Sequence, residues 1–214
     1  KQVKAFSIRF TYDSNKIEGS KLTLRETADL IQEGTTPKDK PIEDVKEAET
    51  HYKTFLEALE FKKDLSLQTV LEWHKKVFDS TKPEIAGKTR QHQVLISGSK
   101  FTPPTPAEVY PLTREFFKWY DKNKDKMHAV ELAALVHLKF VSIHPFADGN
   151  GRTSRLMMNF VLNKHAYPLL DIKYENRDSY YNALERAQTK NNDAIFLNWF
   201  FKKYAQENEK YLKK

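Results

Sequence analysis

The chain has 214 residues, 39% hydrophobic and 13% aromatic, with only six glycines, which allows one sizeable core and suits a compact helical protein better than a disordered or β-rich one. It has no cysteine, which excludes disulfides and thiolate metal sites and fits a reducing, cytoplasmic setting. The formal charge of +7 comes mostly from lysines scattered along helical faces, a solvated surface with no clear nucleic-acid motif, and no apolar run approaches membrane-spanning length.

Phe6, Phe10 and Ile17 recur at a loose helical spacing and predict a first helix from about Val3, stopping at Gly19 in the manner of a C-terminal cap. Thr23-Leu24-Arg25-Glu26 is a capping box that opens a second helix ending at Gly34, followed by polar turn material around Pro37. Pro41 restarts the chain. Val45, Ala48, Tyr52, Phe55 and Leu59 then recur at three and four, with Glu43 and Asp44 in the first turn where the helix dipole favours acids. After Ser66, a plausible cap, Leu67, Val70, Leu71, His74, Val77 and Phe78 repeat the pattern, and His74 on that face reads as a satisfied core histidine. Between Thr81 and Pro106 the helical period vanishes, and Gln93-Val94-Leu95-Ile96 followed by Ser97-Gly98-Ser99 predicts a short β-hairpin.

Thr105-Pro106-Ala107-Glu108 is another capping box, with proline at the first helical position, and Pro111 behind it predicts a kink or a delayed start. The run from Met127 to Ile143 is apolar on most sides and should lie at the centre, with His137 as a structural residue. Further helices are expected over Arg152 to Asn163, over Tyr180 to Gln188, and from Ala194 into a basic tail ending at Lys214. Residues 1–35 form an N-terminal helical region, 36–198 the main body and 199–214 the last helix end and tail, within one compact domain.

Between two of these helices stands His144-Pro-Phe-Ala-Asp-Gly-Asn-Gly-Arg-Thr-Ser-Arg155. Pro145 disfavours the α conformation in the residue before it, so His144 should be extended at a loop entrance. Gly149 and Gly151 free the backbone around Asn150, and the amides of the helix that follows point into the loop, a ready anion site. Arg152 and Arg155, three apart, can grip further phosphate oxygens. Asp148 supplies a hard oxygen suited to Mg²⁺ held jointly with phosphates. A lone His before Pro, or a lone Gly-Asn-Gly, is usually structural. Their conjunction with Asp148 and two spaced arginines has no economical structural explanation.

At these residues the sequence resembles the Fic family, whose signature His-x-Phe-x-Asp/Glu-Gly-Asn-Gly-Arg-x-x-Arg is matched at every fixed position. The resemblance implies an all-α Fic-type bundle with a small β-hairpin flap, acting as an adenylyltransferase that moves AMP from ATP to a Ser, Thr or Tyr hydroxyl of a target protein. It implies His144 as the base, Asp148 as the Mg²⁺ ligand, and Gly149, Asn150, Gly151, Arg152 and Arg155 around the nucleotide. Tyr181 and Gln188 match the family segment that lines the nucleoside pocket, and Gln93, Val94, Leu95 and Ile96 match the flap that pairs with a target's backbone. Thr89 stands where many relatives carry an aromatic residue.

Ser14-Asn15-Lys16-Ile17-Glu18-Gly19 resembles the motif of Fic proteins with an N-terminal inhibitory helix, which makes Glu18 the inhibitor, with Arg155 as its partner, and extends to removal of AMP. Gly151 argues against the kinase variant of the family, the alternative within the family is a variant that uses another nucleotide donor such as CDP-choline, and dimerisation is a family expectation. The rival from another class is a nucleotide-sensing interaction module that performs no transfer.

Overall fold

A computed structural model describes residues 2–209. Nine α-helices stand in order among them: α1 (Gln2–Ile17), α2 (Leu24–Glu33), α3 (Ile42–Glu60), α4 (Leu67–Phe78), α5 (Pro106–Asn123), α6 (Ala129–Ile143), α7 (Asn150–Lys164), α8 (Arg177–Thr189) and α9 (Asp193–Glu207). A short 3₁₀ turn, Tyr174–Asn176, precedes α8. The basic end of the expected tail lies outside the described residues.

The local signals in the sequence fix most helix starts. Thr23 Oγ1 accepts the Glu26 amide at 3.2 Å while Glu26 Oε2 accepts the Thr23 amide at 2.8 Å, and Gly34 closes α2 in the left-handed conformation. Ser66 Oγ accepts the Thr69 amide at the head of α4. Thr105 and Glu108 make a second capping box, with Pro106 at the first helical position of α5. Pro111 neither delays nor ends α5. It removes one backbone donor, but Val109, Phe116 and Tyr120, all buried, hold the helix against its neighbours.

At the centre is α6, which packs on α7, α5 and α9; Leu132, Ala133, Ala134, Val136 and Phe140 are fully buried. α1 lies across α3, α2 and α7, and Phe10 packs at a tilt against Phe55 with ring centres 4.4 Å apart. No described helix is long and apolar enough to cross a membrane.

Two local expectations are corrected. His144 is not extended: it is the left-handed cap of α6 (φ 52°, ψ 56°), its amide bonded to Phe140 O at 3.2 Å. Pro145 excludes only the right-handed helical region for the residue before it, and the left-handed cap ends α6 equally well. The β-hairpin flap is absent, since no strand occurs among the described residues and residues 91–105 are irregular. Val94 and Ile96 are half-buried and Leu95 is 80% exposed, the alternation of an extended segment, but Pro103 and Pro104, where a return strand would run, have no N–H to give a ladder. Side chains hold the loop instead. Arg90 donates to His144 O at 2.7 Å, to His92 O and to Pro104 O, and Gln93 Nε2 donates to Pro103 O at 3.0 Å.

His51, His74 and His137 are fully buried, and burial pushes their pKa values down, to about 4 for His74, about 3 for His137 and well below 6.5 for His51. The unfolded chain therefore binds protons between about pH 6.5 and 4 that the folded chain refuses, so stability falls as pH falls through that window. Each histidine contributes up to about 1.4 kcal/mol per pH unit. Urea unfolding across this range should show that slope, and His137→Gln should flatten it. An unchanged slope would mean that His137 does not titrate on unfolding.

Candidate active site

The loop from His144 to Arg155 is built on one strained turn. Gly149 caps α7 with φ 82°, and a Cβ there would overlap the Phe78 ring, so both the conformation and the space require glycine. Asn150 closes the turn, accepting the Phe146 amide and donating to Phe146 O, each at 2.9 Å. Its side chain is thereby spent inside the loop, and α7 starts at Asn150 rather than Arg152. Gly151 has helical φ and serves differently: a Cβ on it would overlap Glu18 Oε1. The Glu18 carboxylate thus lies against the first turn of α7, where amide dipoles favour an anion.

His74 holds the loop from behind. Its Nδ1 accepts the Gly87 amide at 2.9 Å, so Nε2 carries the proton and donates to Asp148 O at 2.9 Å, while the ring stacks on Phe146 at 3.8 Å. His144 Nδ1 lies 3.2 Å from Val141 O and must be protonated to bond there, which leaves the Nε2 lone pair without a partner among the described residues. Burial lowers the His144 pKa, partly offset by the Val141 carbonyl, so the ring is neutral near pH 7.

The cations are all engaged. Arg155, its side chain 1% exposed, donates from Nε to Ser14 Oγ at 2.9 Å, from Nη2 to Ser14 O at 3.0 Å and Glu18 Oε1 at 2.6 Å, and from Nη1 to Tyr180 OH at 3.3 Å. Arg152 pairs with buried Glu47, reaches Asn15 Oδ1 at 3.3 Å and Asp148 Oδ1 at 3.5 Å, and lies over the Phe78 ring. Lys82 Nζ lies 2.7 Å from Asp148 Oδ2 and 3.2 Å from Glu47 Oε1. Burial opposes the charge on Asp148, but Arg152, Lys82 and the Gly149 amide outweigh it and hold its pKa below the usual value.

Two spaces open here. A cleft of about 710 Å³ is lined by His144, Gly151, Arg155, Tyr181, Gln188 and Ile96 among others, and a polar pocket of about 130 Å³ by Asp148, Arg152, Glu47 and Lys82; Glu18 lines both. Tyr181 is 43% exposed, with its hydroxyl bonded to Ile17 O at 3.2 Å, and Gln188 Nε2 donates to Ser142 Oγ at 3.0 Å. Of the expected flap residues, Ile96 borders the cleft, while Gln93, Val94 and Leu95 do not. No group of three His, Asp or Glu side chains able to hold a metal occurs among the described residues. A cation at Asp148 would take that one carboxylate and complete its shell with phosphate and water oxygens, as Mg²⁺ commonly does.

The Fic/DOC family profile matches residues 64–162, a span that contains His74, Lys82 and the whole loop. The chain belongs to the Fic/DOC family. Protein adenylyltransferase Fic of Drosophila melanogaster is 35% identical over 180 residues, covering 82% of this chain. This Fic chain spans only 36% of that relative's length. Among solved structures, a Fic-domain signalling protein from Bacteroides thetaiotaomicron superposes with a TM-score of 0.86 at 27% identity, over 95% of this chain and 84% of that one. Fic-1 from C. elegans gives 0.84 at 27% identity, over 96% of this chain and 62% of the other.

Sequence reasoning did not single out Glu47, Lys82 or Tyr180, which complete the Fic site. Glu47 lies between the apolar Val45 and Ala48 on α3, and nothing local distinguishes it from a surface acid. Tyr180, 1% exposed, bonds Arg155 and His137, while its neighbour Tyr181 is 43% exposed; both border the cleft.

Gly149→Ala should lower stability by about 3 kcal/mol, combining left-handed strain with overpacking against Phe78. Gly98→Ala, with positive φ but nothing within 4 Å of the added Cβ, should cost only about 1 kcal/mol. Denaturant midpoints at constant m-value measure both, and equal losses would remove Phe78 from the account.

Proposed function

We propose that this Fic chain transfers AMP from ATP to a hydroxyl side chain of a target protein, and that Glu18 restrains the transfer. The observation that carries the reading is the juxtaposition of a neutral His144, its Nε2 lone pair unengaged, with an α7 start whose arginines are already matched to carboxylates. The target hydroxyl gives its proton to His144 Nε2 as its oxygen bonds to the α-phosphorus; the bond from that phosphorus to the bridging oxygen breaks, and pyrophosphate leaves. The α7 amides and Arg152 stabilise the charge that develops on the phosphates. Asp148 would hold Mg²⁺, which when bound supplies charge neutralisation on the polyphosphate. Relatives covering most of this chain are named protein adenylyltransferases, which supports the reaction class.

Restraint by Glu18 follows from competition. An anion seeking Arg155 must displace a charge-assisted pair worth roughly 1.5–3 kcal/mol, enough to cost tenfold or more in occupancy of the productive pose. The second Glu18 oxygen has no hydrogen-bond partner among the described residues and Glu18 lines the cleft, so the same carboxylate is suited to orient water against an AMP ester. Removal of AMP is therefore part of the proposal.

His144→Ala should abolish transfer while weakening ATP binding by less than about tenfold, or 1.4 kcal/mol. Calorimetry showing collapsed binding would make His144 a nucleotide-contact or structural residue instead.

Glu18→Gly should raise self-labelling from ATP by about tenfold or more and leave ADP affinity nearly unchanged, because ADP has no γ-phosphate to claim Arg155. Adding Arg155→Ala should remove the gain. Transfer that is unchanged on losing Glu18 would refute the restraint, and nucleotide retention without labelling in every variant would favour a pure sensing module.

A further inference from the structure

Away from the nucleotide cleft, α1 meets the segment after α7 through two buried acids. The Asp13 side chain is 5% exposed and that of Asp171 8%. Asp13 Oδ1 accepts the Tyr174 amide at 2.7 Å. The remaining three oxygens, Asp13 Oδ2 and both of Asp171, are buried without a hydrogen-bond partner. Both Oδ2 atoms lie within 4 Å of the same Arg9 Nε, at 3.7 and 3.9 Å, too long for hydrogen bonds, and the Arg9 side chain is 53% exposed. Two carboxylates left bare and buried side by side are costly; a proton shared between them removes one charge and makes the missing hydrogen bond. No third acidic or histidine side chain joins them to make a metal site among the described residues.

We propose that Asp13 and Asp171 form a proton-sharing latch that fastens α1, and with it Ser14 and Glu18, to the body of the protein, and that loss of the shared proton loosens α1. The proton belongs on Asp171, neither of whose oxygens receives an N–H, and is donated to Asp13 Oδ2. Burial first, and then Asp13, push the Asp171 pKa well above the usual carboxylate value. The other charged and titratable groups facing the pair are Arg9 and Tyr12 on α1, Lys173 and Tyr174 beside Asp171, and Lys203 and Glu207 on α9, with Glu207 tied to Lys173 at 2.8 Å. The body side cannot retreat. Leu170, next to Asp171, is held at both its amide and its carbonyl by the buried Asn159 side chain, at 2.8 and 2.9 Å. Repulsion after deprotonation therefore acts on α1, five residues before Glu18.

The sign is opposite to that of the buried histidines. The folded chain keeps a proton that the unfolded chain releases near pH 4, so this pair's contribution to stability falls as pH rises through its folded value. Hydrogen exchange of the full chain, corrected for the intrinsic pH dependence, tests the latch between about pH 5 and pH 8.5. Amides at the end of α1, in residues 11–17, should lose protection by about tenfold in wild type. Asp171→Asn, which keeps the shape and a donor but cannot ionise, should abolish that loss, and Asp13→Asn should do the same. Loss of protection identical in all three, or absent from wild type, overturns the latch. The consequence for activity rests on Glu18 acting as the restraint: self-labelling should climb with pH in wild type relative to Asp171→Asn, and this difference should vanish in a Glu18→Gly background. A latch seen by exchange without that transfer difference would overturn the regulatory half and leave the structural half standing.

Discussion

A guanidinium buried as deeply as that of Arg155 must have its donors satisfied, and most of its partners lie on α1 or just past its end. A buried charge without partners would cost several kcal/mol, so α1 is needed to complete the protein's interior. Its docking face is polar as well as apolar. Ser7, Thr11, Asp13, Ser14 and Asn15 are all buried, and each except Ser7 and Asp13 meets α3 or α7 through a side chain: Thr11 with His51, Ser14 with Arg155, Asn15 with Arg152. Such a face is specific in register, because sliding by one residue would leave several polar groups unpaired.

The same constraint explains the arrangement at the start of α7. Glu18, Glu47 and Asp148 stand against Arg155, Arg152 and Lys82, so the cations are matched to internal carboxylates. An anion that took the place of these carboxylates would meet donors already aligned, an arrangement that lowers reorganisation. The difference among the three acids is mobility. Glu47 is buried in mid-helix, whereas Glu18 sits just past the end of α1 with a 27% exposed side chain and can leave by a small backbone movement. A displacement of Glu18 would therefore need no rearrangement of the core.

Neutral histidines form the rigid backing. His74 bridges Gly87 and Asp148, and His137 bonds Tyr180 and stacks on Phe196. In each case burial keeps the ring uncharged, and in His74 one nitrogen accepts while the other donates. Protonation would remove the acceptor. Asp148 is consequently positioned through its own carbonyl, while its carboxylate pairs with Lys82 and Arg152.

The sequence by itself determined the helices and the composition of the loop, because capping boxes, left-handed glycines and three-four apolar spacing act over fewer than five residues. Thr23-Glu26, Thr105-Glu108 and Gly34 behave as their local chemistry requires, and the residues from His144 to Arg155 carry a composition that suits an anion, legible without any knowledge of the fold. Tertiary structure decided what could not be written locally. Glu47 becomes the partner of Arg152 only because α3 crosses α7, and Tyr180 rather than Tyr181 meets Arg155 because the pose of α8 turns one ring inward. The segment around Val94 has the alternation of a strand but no partner, since strand pairing depends on donors elsewhere in the chain and Pro103 and Pro104 supply none. The confrontation of Asp13 with Asp171 joins residues more than 150 positions apart, and no property of either neighbourhood foretells it.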